Sequence, residues 1–221
     1  MPNKKKIPRL NAGLLIINIF SFLGFIFVLF AVSRVDFAGR MDAWLNSTIH
    51  SVYRPVLNDV MVFITNIVSP VQLMVLSSIL IAILVYERKK YLAALFIAGM
   101  LGGFASEFLI KAFIERARPE NSLISAGGYS FPSGHATMSI IFFSLVLYSF
   151  KDDIRKSVNR YIFAAVNIIL LLVVGLSRVY LNVHWLSDVL AGFLLGLFWV
   201  SAVILIYDWT ADNKNKKRKI S

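Results

Sequence analysis

Long apolar stretches alternate with short polar ones along this chain. Six apolar stretches stand out, at 12–32, 70–86, 91–110, 135–150, 161–177 and 185–207. A helix that crosses a bilayer needs about 20 mainly apolar residues, with a lower limit near 17. The stretches at 70–86 and 135–150 are short and borrow flanking residues. The pattern predicts an all-α, polytopic membrane protein with six transmembrane helices. Lys4-Lys5-Lys6 ahead of the first stretch is also how a signal peptide begins. That apolar run is too long and no small-x-small cleavage site follows it, so a retained anchor is expected.

Between the first two stretches lies a long connection, residues 33–69. Trp44, Leu45, Ile49, Val52, Val56, Val60 and Ile64 recur there at helical spacing, the signature of an amphipathic helix. The simpler expectation is a helix on the membrane surface that covers the bundle. The alternative is a lid or lateral gate for a lipid substrate. His50, in this stretch, is expected to be an interfacial residue with no catalytic role.

Composition agrees with the pattern. The chain is 58% hydrophobic and 16% charged, with a mean hydropathy of +0.72. A soluble domain is nearer half apolar and a quarter charged. At 221 residues the chain suits one membrane-embedded domain, 1–221. The absence of cysteine excludes disulfides, thiolate metal sites and a cysteine nucleophile.

The net charge of +11 raises the question of nucleic acid. Its cations fall in short clusters between apolar stretches, with no continuous basic face, so no nucleic-acid partner is expected. Their placement sets the orientation instead. Lys4, Lys5, Lys6 and Arg9, then Arg88, Lys89 and Lys90, then Lys151, Arg155, Lys156 and Arg160, then Lys214, Lys216, Lys217, Arg218 and Lys219 fall on one side. That is 16 cations against 7 on the other: Arg34, Arg40, Arg54, Lys111, Arg116, Arg118 and Arg178. The majority side is expected to be cytoplasmic, with both termini there and residues 212–221 as a basic cytoplasmic tail suited to anionic head groups.

Three polar stretches on the minority side carry the candidate chemistry. Lys111 and Arg118 are seven apart and share a face if the third span continues, with Pro119 ending it. Two snorkelling cations, or pairing of Lys111 with Glu107 or Glu115, would explain the same residues. Pro132-Ser133-Gly134-His135 opens the fourth span. Pro suits a first helical turn, whose free N–H groups and dipole attract anions. Gly134 admits a phosphate close to the backbone, and the Ser133 hydroxyl can donate to it. A plain turn-to-helix junction has the same look, apart from His135. In Ser177-Arg178-x5-His184-x3-Asp188, the last two residues are four apart, so one helical face can bring carboxylate to imidazole. Such a partner fixes the tautomer and stabilises charge on the ring. An Asp at the start of a span is costly unless it is paired.

Taken together, Lys111-x6-Arg118-Pro119, Pro132-Ser133-Gly134-His135 and Ser177-Arg178-x5-His184-x3-Asp188 resemble the three signatures of the type 2 phosphatidic acid phosphatase superfamily, with no signature position departing from the pattern. The resemblance runs from 111 to 188. It implies a membrane lipid phosphatase in which His184 is the nucleophile, forming a phosphohistidine, and Asp188 holds it. It implies His135 as the general acid, and Lys111, Arg118, Ser133, Gly134 and Arg178 as substrate-binding residues. Phosphoryl transfer mainly needs positioning and charge stabilisation. These donors provide both, and no acidic cluster on the minority side is suited to Mg²⁺, so no metal or other cofactor is expected.

Vanadium-dependent haloperoxidases share the signatures, but six spans count against that soluble class. A silent lipid-binding or transport protein on the same fold is a further alternative, opposed by the intact His135, His184 and Asp188. Among substrates, undecaprenyl pyrophosphate and phosphatidylglycerophosphate lead, with phosphatidic acid and diacylglycerol pyrophosphate behind them. A plasma-membrane location with an outward-facing site suits such envelope lipids. Tyr129, Phe131, Tyr180 and Trp185 flank the motifs as lipid contacts or as ordinary interfacial aromatics. Gly99-x3-Gly103 and Gly192-x3-Gly196 permit close helix contacts. Within one chain they are expected to serve bundle packing, and they leave the oligomeric state open.

Overall fold

The computed structural model describes residues 11–34, 36–154 and 156–220, with side chains placed throughout except at 36, 37, 50 and 211–220. Lys4, Lys5, Lys6, Arg9 and Arg155 lie outside the described residues, as do the side chains of His50 and of the basic tail. Eight helices form among the described residues, with no strand: α1 (Ala12–Arg34), α2 (Asp36–His50), α3 (Pro55–Ile67), α4 (Pro70–Tyr86), α5 (Lys90–Ile114), α6 (Gly134–Phe150), α7 (Ser157–Tyr180) and α8 (Leu186–Ile220).

α1, α5, α7 and the Leu186–Thr210 part of α8 are each long and apolar enough to cross a membrane. α3 and α4, bent by 42° at their junction, together satisfy the same test. α6 is a shorter apolar helix of 17 residues. All six predicted stretches therefore lie on helices, and the protein is a multi-pass, all-helical membrane protein. Its lipid-facing character is plain on α1, where Phe20 and Phe27 are 68% and 71% exposed. An exposed apolar belt of that kind is stable only in hydrocarbon.

α6 is enclosed by protein. Gly134, Ala136, Thr137, Met138, Ser139, Ile140, Ile141, Phe143 and Leu145 are all buried, while α4, α5, α7 and α8 pack around the helix. Both glycine pairs face it. A Cβ on Gly192 would lie 2.6 Å from the Ser133 carbonyl oxygen, and one on Gly196 would lie 2.6 Å from Ile140 Cγ2. On the other flank, Ile141 and Leu145 seat against Gly99, and Ile141 also fills the space over Gly103. The small residues thus hold α8 and α5 close to α6.

The connection at 33–69 is two helices and not one stripe. A turn at Ser51 and Val52 and a new start at Pro55 reset the helical phase. Leu45 and Ile49 on α2 pack against Ala136, Val179 and Val189. On α3 the inward positions are Leu57, Met61 and Ile64. Val56 and Val60, expected on the same face as Leu45, are 76% and 45% exposed. α3 then becomes the first part of a bent, apolar pair with α4, and only α2 remains as a covering helix. Ser69 caps α4, accepting a hydrogen bond from Gln72 N at 3.4 Å, with Pro70 at the first helical position.

Candidate active site

One end of the bundle gathers the polar residues. There α5 stops at Ile114 because Glu115 takes a left-handed conformation, φ 51°. Arg118 therefore sits in the 115–133 loop and not, as its spacing from Lys111 suggested, on a continuation of the helix. Pro132, joined to Phe131 by a cis peptide, precedes the N-cap Ser133 and stands outside the first turn of α6. His184 lies in the 181–185 loop just before α8, with Asp188 in that helix's first turn.

Despite these shifts the predicted residues converge. Lys111, Arg118, Gly134, His135, Arg178 and His184 line one cavity of about 350 Å³, completed by Asn66, Ser69, Pro70, Glu107 and residues 124–127. Ser133 and Asp188 are fully buried and stand behind the lining. The expected pairing of Lys111 is with Glu107, at 2.5 Å. The Glu107 carboxylate lies so near Gly134 that a Cβ there would be 2.8 Å from its Oε1, so a side chain at 134 would displace that carboxylate.

Two loops are knitted together at the cavity mouth. Arg118 donates to the carbonyls of Gly127 (2.9 Å), Gly128 (3.0 Å), Tyr129 (3.3 Å) and Val183 (2.5 Å). Asn182, at φ 56°, donates to the Glu120 carbonyl at 2.5 Å, and Leu123 N donates to Leu181 O at 3.0 Å. Arg118 Nη1 also lies 3.2 Å from His184 Nε2. A guanidinium can only donate, so this contact requires a lone pair on Nε2 and places the ring proton on Nδ1.

Nδ1 faces Asp188 Oδ2 at 3.4 Å. That is longer than an ordinary hydrogen bond, and Oδ2 already accepts from Trp185 N at 2.9 Å. Burial is the main influence on the His184 ring and lowers its pKa to about 4, with Arg118 and Arg178 acting in the same direction and Asp188 opposing. The ring is thus neutral at pH 7, with its Nε2 lone pair directed at the cavity side. Burial also lowers the pKa of Arg118, against the pull of Asp188 and Glu107.

The cation side is less completely paired. Arg178 is 4% exposed and donates through Nη1 to Thr65 Oγ1 at 2.5 Å. Its Nε, like the Ser133 hydroxyl, has no hydrogen-bond partner among the described residues. A buried donor left in this way is costly, and both lie beside the free N–H groups at the start of α6. The arrangement can bind an anion, present an unprotonated imidazole nitrogen to it, and hold that ring from behind.

Sequence reasoning did not assign four residues that matter here. Thr65 and Asn66 come from α3, whose approach to the site depends on the bend. Asp42 and Arg116 form a buried ion pair at 2.7 Å, and Arg116 also bonds Asp188 at 2.5 Å. Arg116 had a signal as one of the few cations on the minority side, whereas Asp42 lies 74 residues away in the chain and had none.

With this geometry in view, similarity to known proteins is informative. Residues 87–212 match the PAP2 superfamily. The chain is 33% identical over 184 residues to phosphatidylglycerophosphatase B of Bacillus subtilis, covering 78% of this chain and 86% of that protein. The crystal structure of a transmembrane PAP2-type phosphatidylglycerolphosphate phosphatase from Bacillus subtilis superposes with a TM-score of 0.77 at 27% identity, covering 92% of this chain and 97% of that one. The structure of Aquifex aeolicus LpxE shares the fold, with a TM-score of 0.60 at 21% identity over 73% of this chain and 93% of that one. The chain belongs to the PAP2 superfamily, in its membrane-spanning, all-helical form.

Proposed function

We propose that this protein is a metal-independent lipid phosphatase of the plasma membrane that works through a phosphohistidine. The observation that carries the reading is the single cavity in which His184 Nε2 meets Lys111, Arg118, Arg178 and the start of α6. A phosphate seated there would take hydrogen bonds from the three cations, the Ser133 hydroxyl and the Gly134 N–H. His184 Nε2 attacks phosphorus, the bond to the leaving oxygen breaks, and protonated His135 gives that oxygen its proton. Neutral His135 then takes a proton from water. The resulting hydroxide displaces His184 and releases inorganic phosphate, leaving His135 protonated again. Asp188 supports the positive ring during phosphorylation.

Phosphatidylglycerophosphate is the favoured substrate, because the Bacillus relative of that activity matches most of both chains. Undecaprenyl pyrophosphate is the second reading, favoured by the uneven cation distribution, which directs the site outward and leaves both termini in the cytoplasm. The test is phosphate release from purified protein in detergent across phosphatidylglycerophosphate, undecaprenyl pyrophosphate, phosphatidic acid and diacylglycerol pyrophosphate. Release from none of them, with lipid bound but unchanged, would leave a silent binding protein. Activity is expected to survive EDTA and to be inhibited by vanadate; loss on chelation would argue for a metal enzyme.

A further inference from the structure

Behind His184 lies a charged chain that runs out of the motif region into α2. Arg116 Nη1 bonds Asp188 Oδ1 at 2.5 Å and Ser187 Oγ at 2.7 Å, while its Nη2 bonds Asp42 Oδ2 at 2.7 Å. Asp42 further accepts from Ser187 N at 3.1 Å and from Ser187 Oγ at 2.5 Å. It is 5% exposed, and the Arg116 side chain is 15% exposed beneath the Trp185 ring, 5.5 Å from its centroid. Two Ser187 donors and two carboxylates are thus arranged about one guanidinium in a place that water hardly reaches.

We propose that Asp42 is a positioning residue for the reaction, acting through Arg116 on the Asp188–His184 pair. The inference rests on the phosphatase reading above. Arg116 and Asp188 alone would form a neutral pair and cancel most of the field that Asp188 exerts on the imidazole. Asp42 shares the guanidinium, so the trio keeps one net negative charge beside His184. Through Ser187 it also fixes the first turn of α8, from which Asp188 projects. This makes α2 a fixed wall of the machinery. A lid that lifted would pull Asp42 away from Arg116 and break its hydrogen bonds with Ser187.

α2 has a second polar tether, which provides the control. Asn46, one helical turn along, donates to Asn182 Oδ1 at 2.7 Å, and its side chain makes no hydrogen bond to Arg116 or Asp188 among the described residues. The experiment measures lipid phosphate release in detergent for wild type, His184→Ala, Asp42→Asn and Asn46→Ala, with thermal unfolding of each. Asp42→Asn is expected to lower kcat about 10- to 100-fold, the usual scale for misplacing a reacting group, with KM within about threefold of wild type. Asn46→Ala should keep wild-type kcat. Should Asp42→Asn prove too unstable to purify, Ser187→Ala removes one donor to Asp42 and should lower kcat about threefold or more, as expected for one hydrogen bond. Unchanged kcat in Asp42→Asn, or in Ser187→Ala where that variant stands in, overturns the role of Asp42. An equal kcat loss in Asn46→Ala also overturns it, by showing that docking of α2 is all that matters. A wild type no more active than His184→Ala overturns the phosphatase reading itself, and this inference falls with it.

Discussion

The two sides of the His184 ring differ in how completely their polar groups are paired. On the Nδ1 side, Asp188, Arg116, Asp42 and Ser187 satisfy one another through contacts of 2.5–3.1 Å. On the Nε2 side, Arg178 Nε and the Ser133 hydroxyl have no partner among the described residues. Lys111 there pairs with the Glu107 carboxylate. At the back the carboxylates and the guanidinium are paired with one another, and His184 Nδ1 stands 3.4 Å from Asp188 Oδ2 with no hydrogen-bond partner among the described residues; the front carries donors suited to an anion. A buried histidine with a carboxylate behind one nitrogen and a cationic cavity before the other is organised for attack, and orientation of that kind can supply several kcal/mol of catalysis.

Substitutions on the two faces of the ring should differ in severity. Removing the ring should be the most severe: His184→Ala is expected to lower kcat by about 10⁴-fold or more, and wild-type phosphate release from that variant would end the histidine mechanism. Next on the back face, Asp188→Asn should leave the protein folded yet reduce kcat by about 10³-fold or more, as carboxamide replacement of an orienting carboxylate does. On the front face, Arg178→Lys should cost about 10²-fold in kcat/KM by removing planar donors from the phosphoryl site. Ser133→Ala should cost about tenfold, a single hydrogen bond to a charged group; an effect as large as that of Asp188→Asn would reverse the ranking of the two faces.

The smallest effect expected is on protonation. The chain has three histidines, so ¹⁵N-labelled rings can be assigned by substitution and titrated. His184 should stay neutral from pH 7 down to about 4, whereas an unperturbed ring would gain its proton near 6.5. The sign for stability follows. Below about 6.5 the unfolded ring takes up a proton that the folded one refuses, so this residue's contribution to stability falls steadily as pH drops towards 4. A His184 pKa near 6.5 would mean that the ring is far better solvated than its 3% exposure indicates.

Much of the fold was legible because membrane-spanning length is a strong constraint. The stretch expected at 70–86 is α4 to the residue, and 135–150 differs from α6 only by Gly134 at the start. The apolar run has to be helical in lipid, and polar residues mark its ends. What misled was phase and continuity. Spacing alone placed Arg118 on a helix with Lys111, yet Glu115 ends that helix and a folded loop returns the guanidinium to the same cavity. Likewise, one helical stripe was read from Trp44 to Ile64, although Pro55 restarts the helix and Val56 faces outward. The site's own residues were found because their chemistry is local in sequence. Asp42 was not, because its function depends on a partner 74 positions away, and periodicity holds no trace of such a pairing.

The length of α6 has a consequence for where the enzyme can work. Seventeen residues rise about 25 Å, against a hydrocarbon core of about 30 Å. The helix that carries Ser133, Gly134 and His135 is therefore shorter than the slab it stands in. With α5 and α8 closed against it through glycine, it has little freedom to tilt or slide. Where the far end of α6 stands level with the opposite interface, its Ser133 end lies beneath the head-group plane, and the local thickness of the bilayer becomes a variable of the reaction. Reconstitution in lipids of graded acyl length should show faster turnover in thinner membranes, where a phosphate has less distance to descend.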